Sequence, residues 1–376
     1  MKLITNLTVI CVLIVAAMQY TRQPLREPNR LSACRYKYSS FLIFLFGFAI
    51  MFVAAFREGF VDTQVYKHLY GLAGSEWENA FNDVLPIEDR GFSLMMVFLN
   101  QISPDPQLLV MVTSVITFTA YLHVMRTYAK NLPLTLFLFF ILSFFGSING
   151  IRQVMAGAIL ALALPWLRDR KTVPYILLVL LLSTFHGSIL VMIPLYFVIS
   201  GRRLNIGMWA FLLAVVLCFL APGMAQQVMG TLLEDSVYVG YLENESKMGI
   251  MRFLVALAPA ALAIMYCVVQ RGNRDGEDKN NPNYISQRMI DILINMEIVS
   301  FGFIALGLRM VYFARISMYF SEVLPLLLPV LIDGTFEKRS AKRVRTLAVA
   351  LYFAYFLYQV YTYENYGYFY DFYLIF

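Results

Sequence analysis

Long apolar runs, separated by short polar connections, recur along the whole chain. A helix that crosses the hydrocarbon core of a bilayer needs about 20 apolar residues, so the runs leave room for about ten to twelve transmembrane or re-entrant helices and for no large soluble domain. We therefore predict an all-α, polytopic integral membrane protein whose first span is Ile4–Tyr20. The clearest later runs are Phe41–Phe56, Leu132–Phe145, Tyr175–Phe185, Met208–Leu220, Phe253–Val269 and Leu347–Val360.

The amino-acid composition excludes a soluble protein of this length. Of the 376 residues, 60% are hydrophobic and 14% are charged. A soluble domain with that balance would expose far more apolar surface than water tolerates. The cysteines are scattered, mostly within apolar runs, so the sequence predicts neither a disulfide framework nor a zinc site. They are Cys11, Cys34, Cys218 and Cys267.

Most of the 30 basic residues lie in every second connection between apolar runs. The positive-inside rule assigns those connections to the cytoplasm, which places both termini outside. The formal net charge of +6 then follows from the topology, and nucleic acid is not an expected partner. The clusters are Arg22, Arg26, Arg30, Arg35 and Lys37; Arg126 and Lys130; Arg168, Arg170 and Lys171; Arg202 and Arg203; Arg271, Arg274, Lys279 and Arg288; and Lys338, Arg339, Lys342, Arg343 and Arg345.

We expect one membrane domain over residues 1–376, because neither an internal repeat nor a linker of low complexity is present. Its parts are the first span and basic cytoplasmic loop (1–40), the first external loop (57–90), two re-entrant hairpins (132–200), an external loop (225–251), a cytoplasmic loop (271–287) and an aromatic external tail (361–376).

The two hairpins are predicted from segments that begin and end at cytoplasmic cations but have a polar middle. Leu132–Trp166 is polar around Arg152, and Val173–Ile199 is polar around His186. Each arm has about 13 to 15 residues, or about 20 to 22 Å of helix, which is less than the hydrocarbon thickness of about 30 Å. Polar backbone at that depth persists only where protein shields it or water reaches it. The turns therefore predict the floor of an externally open cavity.

Polar residues at these turns and in the first external loop are candidates for chemistry, although each also has a structural interpretation. An arginine within the membrane is costly and usually faces the bundle interior, so Arg152 favours a functional role. His186 is either a histidine that caps a helix turn or a group in the cavity. The first external loop carries Arg57, Asp62 and Glu88, which are either interfacial ion pairs or groups at the cavity mouth.

Late in the chain, Arg315, Tyr319 and Glu322 are spaced i, i+4 and i+7, which predicts one stripe on a single helix. That stripe is either a buried ion pair or a wall of the cavity, and Arg309 lies just before it. Other intramembrane polar residues are interpreted as helix-packing groups; they are His123, Asp291 and Glu297.

The order of these motifs resembles the EpsG branch of the Wzy-type polysaccharide polymerases. The resemblance spans about residues 40–335, whereas the segments before Ser40 and after Arg345 do not share it. Its elements are Arg57-x4-Asp62-x3-Tyr66, Glu88-x2-Gly91-Phe92, Asn149-Gly-Ile-Arg152-Gln153-Val-Met-Ala156, Phe185-His186-Gly-Ser188 and Arg315-x3-Tyr319.

What the resemblance implies is a polymerase of lipid-linked oligosaccharide repeat units. Such a glycosyltransferase moves a growing glycan from undecaprenyl diphosphate to a new lipid-linked repeat unit, in O-antigen, capsule or exopolysaccharide synthesis. The implied location is the bacterial cell (inner) membrane, with the site facing the outside or periplasm. The implied partners are undecaprenyl-diphosphate-linked oligosaccharides, membrane lipids, a flippase and a chain-length regulator, and no metal or other cofactor is implied.

The resemblance also implies roles for single residues. Arginines would stabilise the negative charge that grows on the departing diphosphate, and the acceptor hydroxyl needs a base within hydrogen-bond reach. The diphosphate-binding candidates are Arg57, Arg152, Arg309 and Arg315. The catalytic candidates are Arg152, with His186, Asp62 or Glu88 as the base, and the substrate-binding candidates are Tyr66, Gln153, Ser188 and Tyr319.

Three other functions stay open at this point. A flippase or transporter of lipid-linked oligosaccharide would show inverted repeats and broken helices in matching halves, whereas both hairpins here lie close together in the sequence. A metal-using, lipid-dependent glycosyltransferase would use the acidic residues of the first external loop. An acyltransferase would rest on His186 alone.

Overall fold

A computed structural model describes residues 2–24, 36–81, 85, 89–221, 223, 248–270 and 287–365, and these residues are helical almost throughout. The α-helices of this part of the chain are α1 (Lys2–Thr21), α2 (Ser40–Ala55), α3 (Thr63–Ala73), α4 (Arg90–Ile102), α5 (Gln107–Tyr128), α6 (Leu132–Ser147), α7 (Ile151–Ala161), α8 (Leu164–Arg168), α9 (Thr172–Ser183), α10 (Met192–Ile199), α11 (Ile206–Leu220), α12 (Ile250–Val269), α13 (Gln287–Gly307), α14 (Val311–Ile316), α15 (Val323–Thr335) and α16 (Lys338–Asn365). Short 3₁₀ helices cover Trp77–Phe81, Gly187–Val191 and Ser317–Phe320, and β1 (Gln23–Pro24) pairs antiparallel with β2 (Tyr36–Lys37).

The predicted class, an all-α polytopic membrane protein, is confirmed. Helices α1, α5, α12 and α13 are each long and apolar enough to cross a membrane, and α14 and α15 form a further candidate, bent by 70°. Other apolar helices are only 10–17 residues long, among them α2, α6, α7, α9 and α11. Much of the apolar length is therefore divided into short helices, and α13 is the most buried of the long candidate spans.

Side-chain caps and turn residues explain where the short helices begin. The Asn131 side chain accepts a hydrogen bond from the Leu134 N–H (3.3 Å) at the start of α6, and Asn205 caps α11 in the same way. Helix α7 follows Gly150, whose φ of +61° lies in the left-handed region that glycine adopts without strain. The polar middle of the first hairpin is thus a real break between two helices.

The cations of several connections meet at one end of the bundle, which we call the basic end. Lys130, before α6, pairs with Asp333 near the end of α15 (Nζ–Oδ2 2.9 Å), and Arg345 of α16 pairs with the same carboxylate. Arg203, before α11, lies 3.7 Å from Asp291 at the start of α13 (Nε–Oδ1). Several of the connections that the charge pattern assigned to one side of the membrane therefore lie together.

Both segments with a polar middle return to the basic end. At the start of α9, Thr172 donates a hydrogen bond to the Tyr196 hydroxyl near the end of α10 (2.8 Å), and the rings of Tyr175 and Tyr196 are 5.0 Å apart. The return arm of the first segment ends near Arg168, whose charge acts on Tyr128 in the last turn of α5. Each segment begins and ends at the same end of the bundle, as a re-entrant hairpin does.

The prediction that Arg315, Tyr319 and Glu322 form a stripe on one helix is wrong. Helix α14 ends at Ile316, the 3₁₀ turn Ser317–Phe320 follows, and the chain bends by 70° before α15. Pro325 lies in the first turn of α15, where its missing N–H is tolerated but a continuous helix through it is disfavoured. The three side chains consequently face different surroundings.

Candidate active site

Arg152 lies in the first turn of α7, at the tip of the first hairpin and away from the basic end. Its guanidinium pairs with Asp89, the residue before α4. It also lies 5.5 Å from the ring centroid of Tyr66 and 5.9 Å from that of Phe92, within the range of cation–π attraction. Helix α3 and the start of α4 thus hold this arginine by a carboxylate and two aromatic rings.

Asp89 joins the two hairpin tips. One carboxylate oxygen pairs with Arg152, and the other accepts a hydrogen bond from the Gly187 N–H of the second tip (3.1 Å). The Thr184 carbonyl beside that tip accepts from the Gly91 N–H (2.8 Å), and a Cβ on Gly91 would overlap the Thr184 side chain. The first residues of α4 therefore fasten two turns that are far apart in the sequence.

Asp62, the residue before α3, touches the same turn. Its Oδ2 accepts a hydrogen bond from the Gly150 N–H (2.9 Å), and its Oδ1 is buried with no hydrogen-bond partner among the described residues. Burial raises the pKa of the Asp62 carboxyl above its ordinary value, against the opposing positive charges of Arg57 and Arg315. A carboxylate with a raised pKa and an unused oxygen suits proton transfer.

Arg57 lies behind the turn, with 1% of its surface exposed. It donates from Nε to Thr63 Oγ1 (3.1 Å), from one terminal nitrogen to Ser114 Oγ (3.2 Å) and the Ala54 carbonyl, and from the other to the Ile148 carbonyl (3.1 Å). Four of its five N–H groups are thus engaged with protein. This placement favours a positioning role for Arg57 over a diphosphate contact.

The second tip contacts the late part of the chain. Ser188 Oγ and the Tyr319 hydroxyl are 2.8 Å apart, and the Gln153 amide donates to the Arg315 carbonyl (2.8 Å). Burial first, and then the positive charges of Arg152 and Arg315, disfavour a protonated imidazole at His186. Both hairpins and the 311–320 segment therefore meet at one polar cluster.

One expected site residue lies elsewhere, and a second falls outside the described residues. The Arg309 guanidinium contacts α11, 4.6 Å from the ring centroid of Phe219. Glu88 lies outside the described residues. Within the described part of the chain, no group of three or more His, Cys, Asp or Glu side chains is arranged to hold a metal ion.

A cavity of about 460 Å³ lies beside the cluster, between α6, α12, α13 and α16. Asn149 of the first hairpin turn lines it, together with Arg252 and Glu297. Arg152 and His186, expected on the floor of the cavity, are not among its lining residues. The turn at Asn149 and Gly150 therefore separates the polar cluster from this cavity.

Asp89 was not among the residues that the sequence predicted for the site, although the neighbouring Glu88 was. The signal was its position directly before an apolar helix, where Asp is preferred; its partners, Arg152 and Gly187, are too distant in the chain to be inferred. We expect Asp89→Asn to lower the thermal stability, because breaking a buried ion pair costs about 3–5 kcal/mol. Thermal unfolding in detergent measures this, with the exposed Asp105→Asn as the control. An unchanged midpoint for Asp89→Asn would remove its bridging role.

Comparison with known families gives one result. A family model described as the EpsG family matches residues 40–373. No curated protein and no solved structure matches the chain.

Proposed function

The chain belongs to the EpsG family and is a multi-pass membrane protein of polysaccharide biosynthesis, and we propose that it polymerises lipid-linked oligosaccharide repeat units. The observation that carries the proposal is the meeting of both hairpin tips at Asp89, which gathers Arg152, His186 and Asp62 into one cluster. The direct test is chain growth from purified lipid-linked repeat units by the protein in liposomes. A ladder of longer products is expected, and single repeats alone would contradict the proposal.

In the proposed reaction, the bond between the anomeric carbon of the growing glycan and the lipid diphosphate breaks. The acceptor hydroxyl oxygen of the new repeat unit bonds to that carbon, and its proton passes to a base. The electron pair stays on the departing diphosphate, where Arg152 and Arg315 stabilise the growing negative charge. Tyr66, Gln153, Ser188 and Tyr319 line or brace the cluster.

We favour Asp62 as the base over His186. Asp62 has an unused buried oxygen, and burial raises the pKa of its carboxyl. For His186, burial and the positive charges of two nearby arginines both oppose the imidazolium that proton uptake would create. Asp62 gains a proton and loses its charge, at lower cost in a buried site.

The proposed orientation places the basic end in the cytoplasm and the cluster on the outer, periplasmic side of the inner membrane. In a variant without native cysteines, Gln64→Cys on α3 should react with a membrane-impermeant thiol reagent in cells with a permeabilised outer envelope. Lys171→Cys at the basic end should react only after lysis. Both positions are exposed, so burial does not decide the result. The reverse pattern would overturn the orientation.

A second candidate is transport of lipid-linked oligosaccharide. The bent pair α14–α15 is a third broken element, in the half of the chain opposite the hairpins, and broken helices in both halves are typical of transporters. A deletion strain distinguishes the two functions. Loss of a polymerase should leave single lipid-linked repeats on the outer leaflet, whereas loss of a transporter should leave them on the inner leaflet.

A further inference from the structure

The cavity beside the polar cluster is lined by a carboxyl group that has no hydrogen-bond partner among the described residues. Glu297 lies within α13, is 5% exposed and lines the cavity. It makes no hydrogen bond or ion pair within the described part of the chain, so the packing role expected from the sequence has no partner to support it. A buried carboxyl without a protein partner is costly whether it is charged or neutral, so a bound molecule that supplies hydrogen-bond partners to Glu297 would be stabilised in the cavity.

The opposite wall supplies further polar groups without protein partners. Gln359 of α16 lines the cavity, and its Oε1 is buried with no hydrogen-bond partner among the described residues. Ser300, one turn after Glu297 on α13, and Thr362, near Gln359 on α16, also face the space. Acceptors and hydroxyls thus line two sides of one cavity.

A cation and aromatic rings complete the lining. Arg252, at the start of α12, donates from one terminal nitrogen to the Ala314 carbonyl (3.2 Å) and to Ser317 Oγ (3.0 Å), and it lines the cavity. Tyr355 and Tyr358 lie on the α16 wall with their rings stacked, 6.2 Å between centroids. The cavity therefore offers charged donors and acceptors together with flat apolar faces.

We propose that this cavity binds the saccharide part of the lipid-linked substrate, an inference that rests on the proposed polymerase function. Sugar hydroxyls donate to Glu297 and Gln359 and accept from Arg252, and the C–H faces of sugar rings pack on the tyrosines. The volume of about 460 Å³ lies within the range of small-molecule sites, about 300–1,000 Å³, which suits a short oligosaccharide. A prenyl chain would leave both unpartnered acceptors buried and unsatisfied.

The position of the cavity fits this occupant. Asn149 lines it, and the next residue, Gly150, donates its N–H to Asp62 (2.9 Å). A sugar held against Asn149 therefore lies across one turn of backbone from the proposed base. The structure thus separates recognition of the glycan from the arginines that take the diphosphate.

The test is protection of a cysteine placed in the cavity. In a full-length protein without native cysteines, Ser300→Cys is labelled by a small cationic methanethiosulfonate reagent. The probe is the oligosaccharide released by mild acid from the lipid-linked repeat units of the host cell. We expect this oligosaccharide to slow labelling of the cysteine at least tenfold. The same protection is expected in the Arg152→Ala protein, in which the proposed reaction is blocked.

Substitutions at Glu297 assign the effect to the cavity. Glu297→Leu should abolish protection, and Glu297→Gln should retain part of it, because a neutral amide keeps one acceptor but loses the charge-assisted bonds. Asp291→Asn, on the same helix at the basic end, is the matched control and should leave protection unchanged. Detergent gel filtration of each variant checks that it is folded.

The outcomes separate this inference from the proposed function. Protection without chain growth by the wild type would retain the saccharide site and reject the polymerase. Chain growth without protection would reject the saccharide site alone. Equal protection by undecaprenyl monophosphate, which carries no sugar, would also overturn the inference and assign the cavity to a prenyl chain.

Discussion

Arg152→Ala is expected to lower the rate of chain growth by about 10²- to 10³-fold, the usual loss for one contact that stabilises transition-state charge. Arg152→Lys should restore only part of the rate, because an ammonium keeps the charge but lacks the planar fork that matches phosphate oxygens. The measurement is the initial rate of product formation from purified lipid-linked repeat units in liposomes.

The controls separate chemistry from folding. Removing Arg152 leaves Asp89 buried without its cation, so the thermal midpoint of each variant is measured beside its rate. Arg126→Ala removes an exposed arginine of α5 near the basic end and should leave the rate unchanged. A wild-type rate from the Arg152→Ala protein would exclude the residue from the mechanism.

Asp62→Asn is expected to lower the same rate by about 10²- to 10⁴-fold, the range for loss of a general base. Asparagine can still accept the Gly150 N–H, so the turn at the hairpin tip should persist. In the wild type the rate should fall with decreasing pH as the Asp62 carboxyl, whose pKa is raised by burial, takes up its proton. The residual rate of Asp62→Asn should lack that dependence.

The free energy of unfolding should depend on pH in the opposite direction from the rate of chain growth. Because the pKa of Asp62 is higher in the folded than in the unfolded chain, the folded state binds more protons, and stability falls as pH rises through the two values. Asp62→Asn removes this cost, so the variant should be at least as stable as the wild type at neutral pH. A variant that keeps the pH–rate profile would assign the base to another group, and His186→Ala would test the next candidate.

The class of fold was accessible from the sequence because it depends on local patterns, and so were the helix breaks in the polar middles of 132–166 and 173–199. Cations such as Lys130 and Arg203 lie at one end of the bundle. Helical arms that are shorter than the hydrocarbon thickness of a bilayer indicate a chain that turns back. The family resemblance, predicted over about residues 40–335, is confirmed, because it depended on short motifs in a fixed order. The segment after Arg345 was expected to lie outside the resemblance, but the family model extends through it to residue 373.

The rest depends on pairing between distant segments, which one sequence does not encode in a readable pattern. Asp89 bridges Arg152 and Gly187, which are distant from it in the sequence. Glu297 lines a cavity whose other walls are formed by other helices. The prediction of one helical stripe from Arg315 to Glu322 was wrong because it assumed a continuous helix, whereas the chain bends before Pro325. Regular periodicity predicts neighbours only while the helix is unbroken.

The long reach of these contacts has a consequence for biogenesis. Each of three contacts in the cluster joins a residue to one that is synthesised much later: Asp62 to Gly150, Asp89 to Gly187, and Ser188 to Tyr319. A chain emerging from the ribosome therefore inserts its early helices well before the polar cluster exists, and non-local contacts of this kind form slowly. During synthesis, Arg152 therefore lies in the membrane before the polar cluster around it is complete. We expect insertion and folding of the nascent chain to depend on cellular assistance for this reason.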